Sequence, residues 1–191
     1  MPMNLIRFSF IALLLCNSAM ASDFDQKINS MAENMNKFRK VSKIYSINVD
    51  NNEGLANTIV WRKRDSLGYG HMLQCKISLN EEIIKSYNMT DDTIAWFIGH
   101  ELGHCELKHS QYISGAKISS DLWKEEYDAD IIGKELMTSA GYDFRVVFFE
   151  LLNKNILDME AQISHPDRDS RLVNLSTQNQ IRLYPDLIKR K

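Results

Sequence analysis

A single α+β domain is the fold class this chain predicts, on three observations. Short strand-like segments separated by turn signals cluster between Ile44 and Leu79. From Thr90 onward the apolar spacing becomes helical. The 191 residues suit one domain with one sizeable core, and no internal repeat, linker or low-complexity run divides them.

Taken in order, the first segment lies outside the fold. Arg7 and the amino terminus carry positive charge, Phe8 to Cys16 form an apolar run, and Ala19-Met20-Ala21 is a small-x-small cleavage signal. Residues 1–21 therefore predict a signal peptide cut before Ser22, with residues 22–191 exported to the periplasm or beyond. The apolar run is shorter than the roughly 20 residues a permanent membrane helix needs. Leu15 is too large to precede a lipidated cysteine, so no lipid anchor is expected at Cys16. No later stretch reaches a transmembrane length, and the mature chain is expected to hold no integral membrane segment.

Phe24, Ile28, Met31, Met35 and Phe38 recur at helical spacing, which predicts an amphipathic helix over 23–40. Ile44 to Val49 reads as a strand closed by the turn signal Asn51-Asn52-Glu53-Gly54. Further strands are predicted near Thr58 to Arg62 and, after Gly68-Tyr69-Gly70, near Met72 to Leu79. Thr90 is a candidate N-cap with Asp91 and Asp92 in the first turn, for a helix reaching about His109. Ser119-Ser120-Asp121 opens a helix that runs to about Ser139 and stops at Gly141. One more helix covers Phe144 to Met159, and a short one follows His165-Pro166. The expected sheet is small, antiparallel or mixed, and packs on the helix that begins after Thr90.

Composition narrows the function. The formal net charge is −2 with 25% charged residues, so no basic surface for nucleic acid is indicated. Trp61-Arg62-Lys63-Arg64 is a short basic run at a strand end. Cys75 and Cys105 remain after processing, and an even number in an oxidising compartment permits a disulfide. Two buried thiols are the plain alternative. Metal binding by Cys105 is a third, but it points about 100° away from His104 on a helix.

His100-Glu101-Leu102-Gly103-His104 carries the chemistry. Residues four apart share a helix face, so two imidazoles converge on one ion. Glu101, between them, is placed to take a proton from a metal-bound water and hand it to a leaving amine. The apolar run Ile94 to Ile98 anchors such a helix in a core. A catalytic zinc needs a third protein ligand and an open position. His109 comes nine residues after His100, with Leu107 where the metzincin pattern has Gly, so that pattern fails. Glu126 is the better candidate, because twenty-two residues after His104 suffice to leave one helix and return on the next. Asp130, one turn on, faces the same cleft and can accept the second ring N–H of a ligand histidine. Glu125 and Asp128 compete as carboxylates but differ in helical phase; a solvated acidic face is the plain alternative for this run.

His100 to His104 with His109, then Glu126-Tyr127-Asp128-Ala129-Asp130-Ile131-Ile132-Gly133, Ala140-Gly141-Tyr142-Asp143, and Ser164-His165-Pro166 with Arg171-Leu172 resemble the HtpX, Oma and CAAX-endopeptidase group of gluzincins. The likeness runs in order over roughly Leu73 to Leu175. It implies a zincin-like metallopeptidase domain, one Zn2+ per chain, Glu126 as third ligand and Asp130 as its supporting neighbour. It also implies His165 near the cleft, binding substrate, stabilising the oxyanion or capping the zinc. Arg171 would hold that segment, through Asp130, and His109 is supporting or structural. By spacing alone His165 is a surface histidine before a turn proline. Family members carry a substrate-pairing edge strand; Met72 to Leu79, with Met72, Gln74 and Lys76, is the candidate here, and an interior strand is its alternative.

Together these residues imply a zinc-dependent endopeptidase acting on peptides or unfolded and misassembled envelope proteins. One alternative is a latent or non-catalytic zinc-containing interaction module with His165 over the metal. Another is an exported protease with one defined substrate. Oligomeric state is not legible.

Overall fold

A computed structural model describes residues 22–38, 44–49, 54–64, 71–107, 109, 119–159 and 165–177. The expected signal peptide, the turn residues 51–53 and 68–70, and Ser164 lie outside the described residues.

Helix α1 (Asp23–Asn36) starts on a capping box, in which Ser22 accepts from the Asp25 N–H and Asp25 accepts from the Ser22 N–H. Ile28, Met31, Ala32 and Met35 form its buried stripe. The helix ends a turn earlier than its apolar spacing predicts. Phe38 follows a tightened last turn and is 54% exposed, so it is not the core residue its spacing suggests.

Strands β1 (Ile44–Val49), β2 (Ala56–Arg64) and β3 (His71–Leu79) form a mixed sheet in the order β1-β3-β2. β1 runs parallel to β3 from Ile44 opposite Gln74 to Val49 opposite Leu79. β2 runs antiparallel, from Ala56 opposite Leu79 to Arg64 opposite His71. Cys75, Ile77 and Leu79 are buried and alternate with half-buried Lys76 and Ser78, the period-two pattern of a strand covered on one face. This order corrects the expected substrate strand. Gln74 and Lys76 have partners on both sides, and Met72 is paired to Lys63, so β3 is the middle of the sheet. Its strong apolar alternation belongs to a central strand rather than to an open edge.

A short helix, α2 (Glu81–Ser86), follows β3 and has no counterpart in the sequence expectation. It is too brief to show helical periodicity; Asn80 caps it by accepting the Ile83 N–H. Helix α3 (Asp91–Leu107) is the centre of the molecule, with every residue from Thr93 to Cys105 buried. A helix apolar all round has no solvent face, and α3 accordingly lies between β2 and helices α4 (Ser119–Ser139) and α5 (Phe144–Asn153). Its first turn is held by Thr90, which accepts from the Thr93 N–H, and by Glu150 of α5, which accepts from the Thr90 N–H and hydroxyl.

Small residues let α3 and α4 approach closely. A Cβ on Gly99 would stand 2.7 Å from the Gly133 carbonyl oxygen, and one on Gly133 would stand 2.7 Å from the His100 nitrogen. Gly103 meets Ala129 in the same way, at 3.1 Å. Gly141, at φ +94°, ends the α4 segment in a conformation that suits glycine. The single helix expected over 144–159 is two pieces, α5 and a 3-10 turn (Ile156–Met159), divided at Asn155, whose φ is +52°. Asn tolerates that left-handed backbone better than most residues. Helix α6 (Arg168–Thr177) packs on α4 and α5. Cys75 of β3 and Cys105 of α3 are joined by a disulfide. No helix among the described residues is long and apolar enough to cross a membrane.

Candidate metal centre and active site

His100 and His104 lie one turn apart on the same face of α3, and their Nε2 atoms converge to 3.0 Å. From α4, Glu126 brings Oε2 to 3.4 Å from His100 Nε2 and Oε1 to 3.4 Å from His104 Nε2. The three ligand atoms lie within 4.8 Å of one another, and all three side chains are buried. Glu126 Oε2 is buried without a well-formed hydrogen bond among the described residues, although His165 Nδ1 is 2.9 Å away. A buried carboxylate oxygen in that state is costly unless a cation completes it. Two imidazoles and a carboxylate converging from two helices fit a metal ion.

Behind each imidazole stands a partner for its other nitrogen. His100 Nδ1 is 2.9 Å from Asp130 Oδ1. Asp130 in turn accepts from Arg171 Nε at 3.0 Å and Nη2 at 2.5 Å, and neither residue touches solvent. Arg171 also packs over the Trp96 ring, 5.4 Å from its centroid. His104 Nδ1 is 3.0 Å from Nδ1 of His109, whose main-chain N–H donates to the His104 carbonyl. Both histidines thus present Nε2 to the clustered group and Nδ1 to a neighbour. That arrangement fixes ring orientation and tautomer.

The electrostatics follow from this crowding. Burial disfavours charge on His100, but hydrogen bonds to Asp130 and Glu126 outweigh it and push the pKa up to about 10. Burial and the neighbouring His100 charge push His104 down to about 3. Burial would raise Glu126, yet the adjacent His100, His165 and His104 rings hold it well below the usual carboxylate range. Asp130 is likewise held low against burial, chiefly by the Arg171 charge.

Glu101 is buried beside the ligands, and its Oε2 accepts from the Thr58 hydroxyl of β2 at 2.5 Å. Asp128 points elsewhere, half-buried and paired with Lys124. Glu125 is half-buried and is not among the clustered ligand groups. His165 is one-quarter exposed and contacts the cluster through Glu126. The backbones of Met72 and Gln74 pair with Lys63 and Trp61 of β2. Sequence reasoning missed Thr58, because the contact joins residues 43 apart with no local pattern. It also missed the helix contact at Gly99, Gly103, Ala129 and Gly133, whose four-residue spacing on both helices was a readable signal.

The family described as Peptidase U49 matches residues 8–183, which shows a peptidase family without pointing specifically to the HtpX, Oma and CAAX-endopeptidase group. No curated protein matches the chain.

Proposed function

The chain belongs to the Peptidase U49 family, and from that premise we propose a zinc-dependent endopeptidase of zincin-like fold, exported after cleavage before Ser22, that hydrolyses unfolded or misassembled envelope proteins. The observation that carries the zinc dependence is the buried group His100, His104 and Glu126 with Glu101 beside it. The motif likeness to the HtpX, Oma and CAAX-endopeptidase group supports the same assignment without being needed for it.

His100, His104 and Glu126 would hold the ion, with Asp130 and His109 orienting the two rings. Bound there, Zn2+ supplies Lewis-acid polarisation of the scissile carbonyl and lowers the pKa of a water toward 7. Glu101 accepts a proton from the attacking water as its oxygen adds to the carbonyl carbon. It returns that proton to the amide nitrogen as the C–N bond breaks. Glu101 is well suited to this because a buried base is shielded from competing solvent. His165, beside Glu126, steadies that ligand and lies at the cleft, where a donor can stabilise the oxyanion. Peptide pairing falls to β2 rather than β3. β2 is an outer strand of the described sheet and meets Glu101 through Thr58, which makes it the described outer strand in contact with the base.

Metal content and cleavage of an unfolded protein such as casein, on the wild type and on Glu101→Gln, test this directly. One zinc in both proteins, with chelator-sensitive cleavage only in the wild type, is the expected result. Zinc in both with cleavage in neither would replace the enzyme with a latent or binding protein; His165→Ala then tells whether that residue caps the metal, since activity would appear.

A further inference from the structure

We propose that Thr58 is a positioning residue for Glu101, tying the base on α3 to the sheet through its hydroxyl; this rests on the peptidase function given above. Thr58 is 2% exposed on β2, opposite Ile77 of β3. Its Oγ1 lies 2.5 Å from Glu101 Oε2 and 3.2 Å from the Glu101 carbonyl oxygen. A hydroxyl has one proton, and the shorter contact to a carboxylate is the stronger. The hydroxyl therefore donates to the carboxylate, with the carbonyl close beside it.

The neighbourhood makes this placement specific. On β3, Ile77 lies opposite Thr58 with Cys75 and Leu79 two residues to either side of it, and all three are buried and apolar. Valine would fill the same space, suit a strand equally and bury no hydroxyl. The contact that sets threonine apart from valine here is to Glu101. A glutamate side chain has three rotatable bonds and loses about 1.5 to 2 kcal/mol of rotamer freedom on being fixed. Threonine is stiff at χ1, and its strand is hydrogen-bonded to β3 along its whole length. β3 is in turn bonded covalently to α3 through Cys75 and Cys105. The tie thus fixes rotation of the Glu101 carboxylate and the direction of its lone pairs toward the attacking water. Misplacing a reacting group by about 1 Å costs up to about 10²-fold in rate.

Thr58→Val removes the proton donor and keeps the shape, while Thr58→Ser keeps the donor. In the full-length protein, Thr58→Val should lower kcat by about 10- to 100-fold, with KM, zinc content and melting temperature close to wild type. Thr58→Ser should restore most of the rate. The Glu101 side-chain carboxyl 13C resonance, assigned by its loss in Glu101→Gln, should move in Thr58→Val and stay near its wild-type position in Thr58→Ser. Adding Thr58→Val to Glu101→Gln should cost nothing further, because residues acting as one unit are not additive. Normal kcat in Thr58→Val, equal loss in Thr58→Ser, or zinc loss in Thr58→Val alone would each overturn the proposal. An inactive wild type would remove the peptidase function, whereas an unmoved Glu101 resonance in Thr58→Val would remove the contact itself.

Discussion

Glu126 and Asp128 sit two residues apart on α4 and meet opposite surroundings. Glu126 is buried against two imidazoles, while Asp128 is only half-buried and is paired with Lys124. A two-residue step turns about 200° around a helix, so one carboxylate faces α3 and the other faces water. Glu126→Ala should therefore strip zinc from the purified protein, and Asp128→Ala should retain it. Equal metal loss in both, by elemental analysis, would mean the wrong carboxylate was chosen. Asp130 acts one step further out. Asp130→Asn should weaken zinc affinity by about 10- to 100-fold, as removal of a ligand's hydrogen-bond partner does. Competition with a chromophoric chelator measures it, and wild-type affinity would show that Asp130 serves only Arg171. These residues are legible because helical phase alone relates His100 to His104 and Glu126 to Asp130. Thr58 is not, since nothing local links a strand residue to a helix 43 positions away.

At the scale of elements, the distance between α3 and α4 decides whether Glu126 reaches the histidines. Gly133→Ala would put a methyl 2.7 Å from the His100 main-chain nitrogen, and backbone cannot yield cheaply. Alanine improves helix propensity by about 1 kcal/mol, yet overpacking costs about 1 to 3 kcal/mol. Net destabilisation together with reduced zinc retention is expected from thermal unfolding and metal analysis. A more stable variant with full zinc would show that the helices separate freely. The other end of α3 depends on Glu150. Burial raises its pKa, but Lys154, Thr93 and the Thr90 main chain outweigh that and hold it below its ordinary 4.5. A depressed folded pKa stabilises the protein above 4.5, and that contribution is lost as pH falls through the lower folded value. Glu150→Gln should cost about 1 to 3 kcal/mol at neutral pH, and its gap to wild type should close in acid. A gap independent of pH would assign the effect to packing. Cap chemistry at Thr90 is readable in sequence; its dependence on a residue 60 positions later is not.

Across the whole molecule, the disulfide is a covalent cross-link between the sheet and α3. It closes a segment of 30 residues, for which chain entropy gives about 3 to 4 kcal/mol. Reduction, or Cys75→Ala with Cys105→Ala, should lower the denaturant midpoint accordingly. Because Cys105 follows His104 directly, zinc affinity should fall with it. An unchanged midpoint after complete reduction would show that the sheet and α3 hold together without the bond.

Local order along the chain determined the strands near 44–49, 58–62 and 72–79, the histidine pair, the glutamate between them and the carboxylate on the following helix that meets them. Those are properties of short-range spacing, where the periods 2 and 3.6 translate directly into faces. Tertiary structure alone decided that β3 is the middle strand, that α2 exists, that α3 and α4 touch through glycine, and that Thr58 meets Glu101. Each depends on which distant surfaces are buried together, and burial is a property of the assembled core rather than of any one segment.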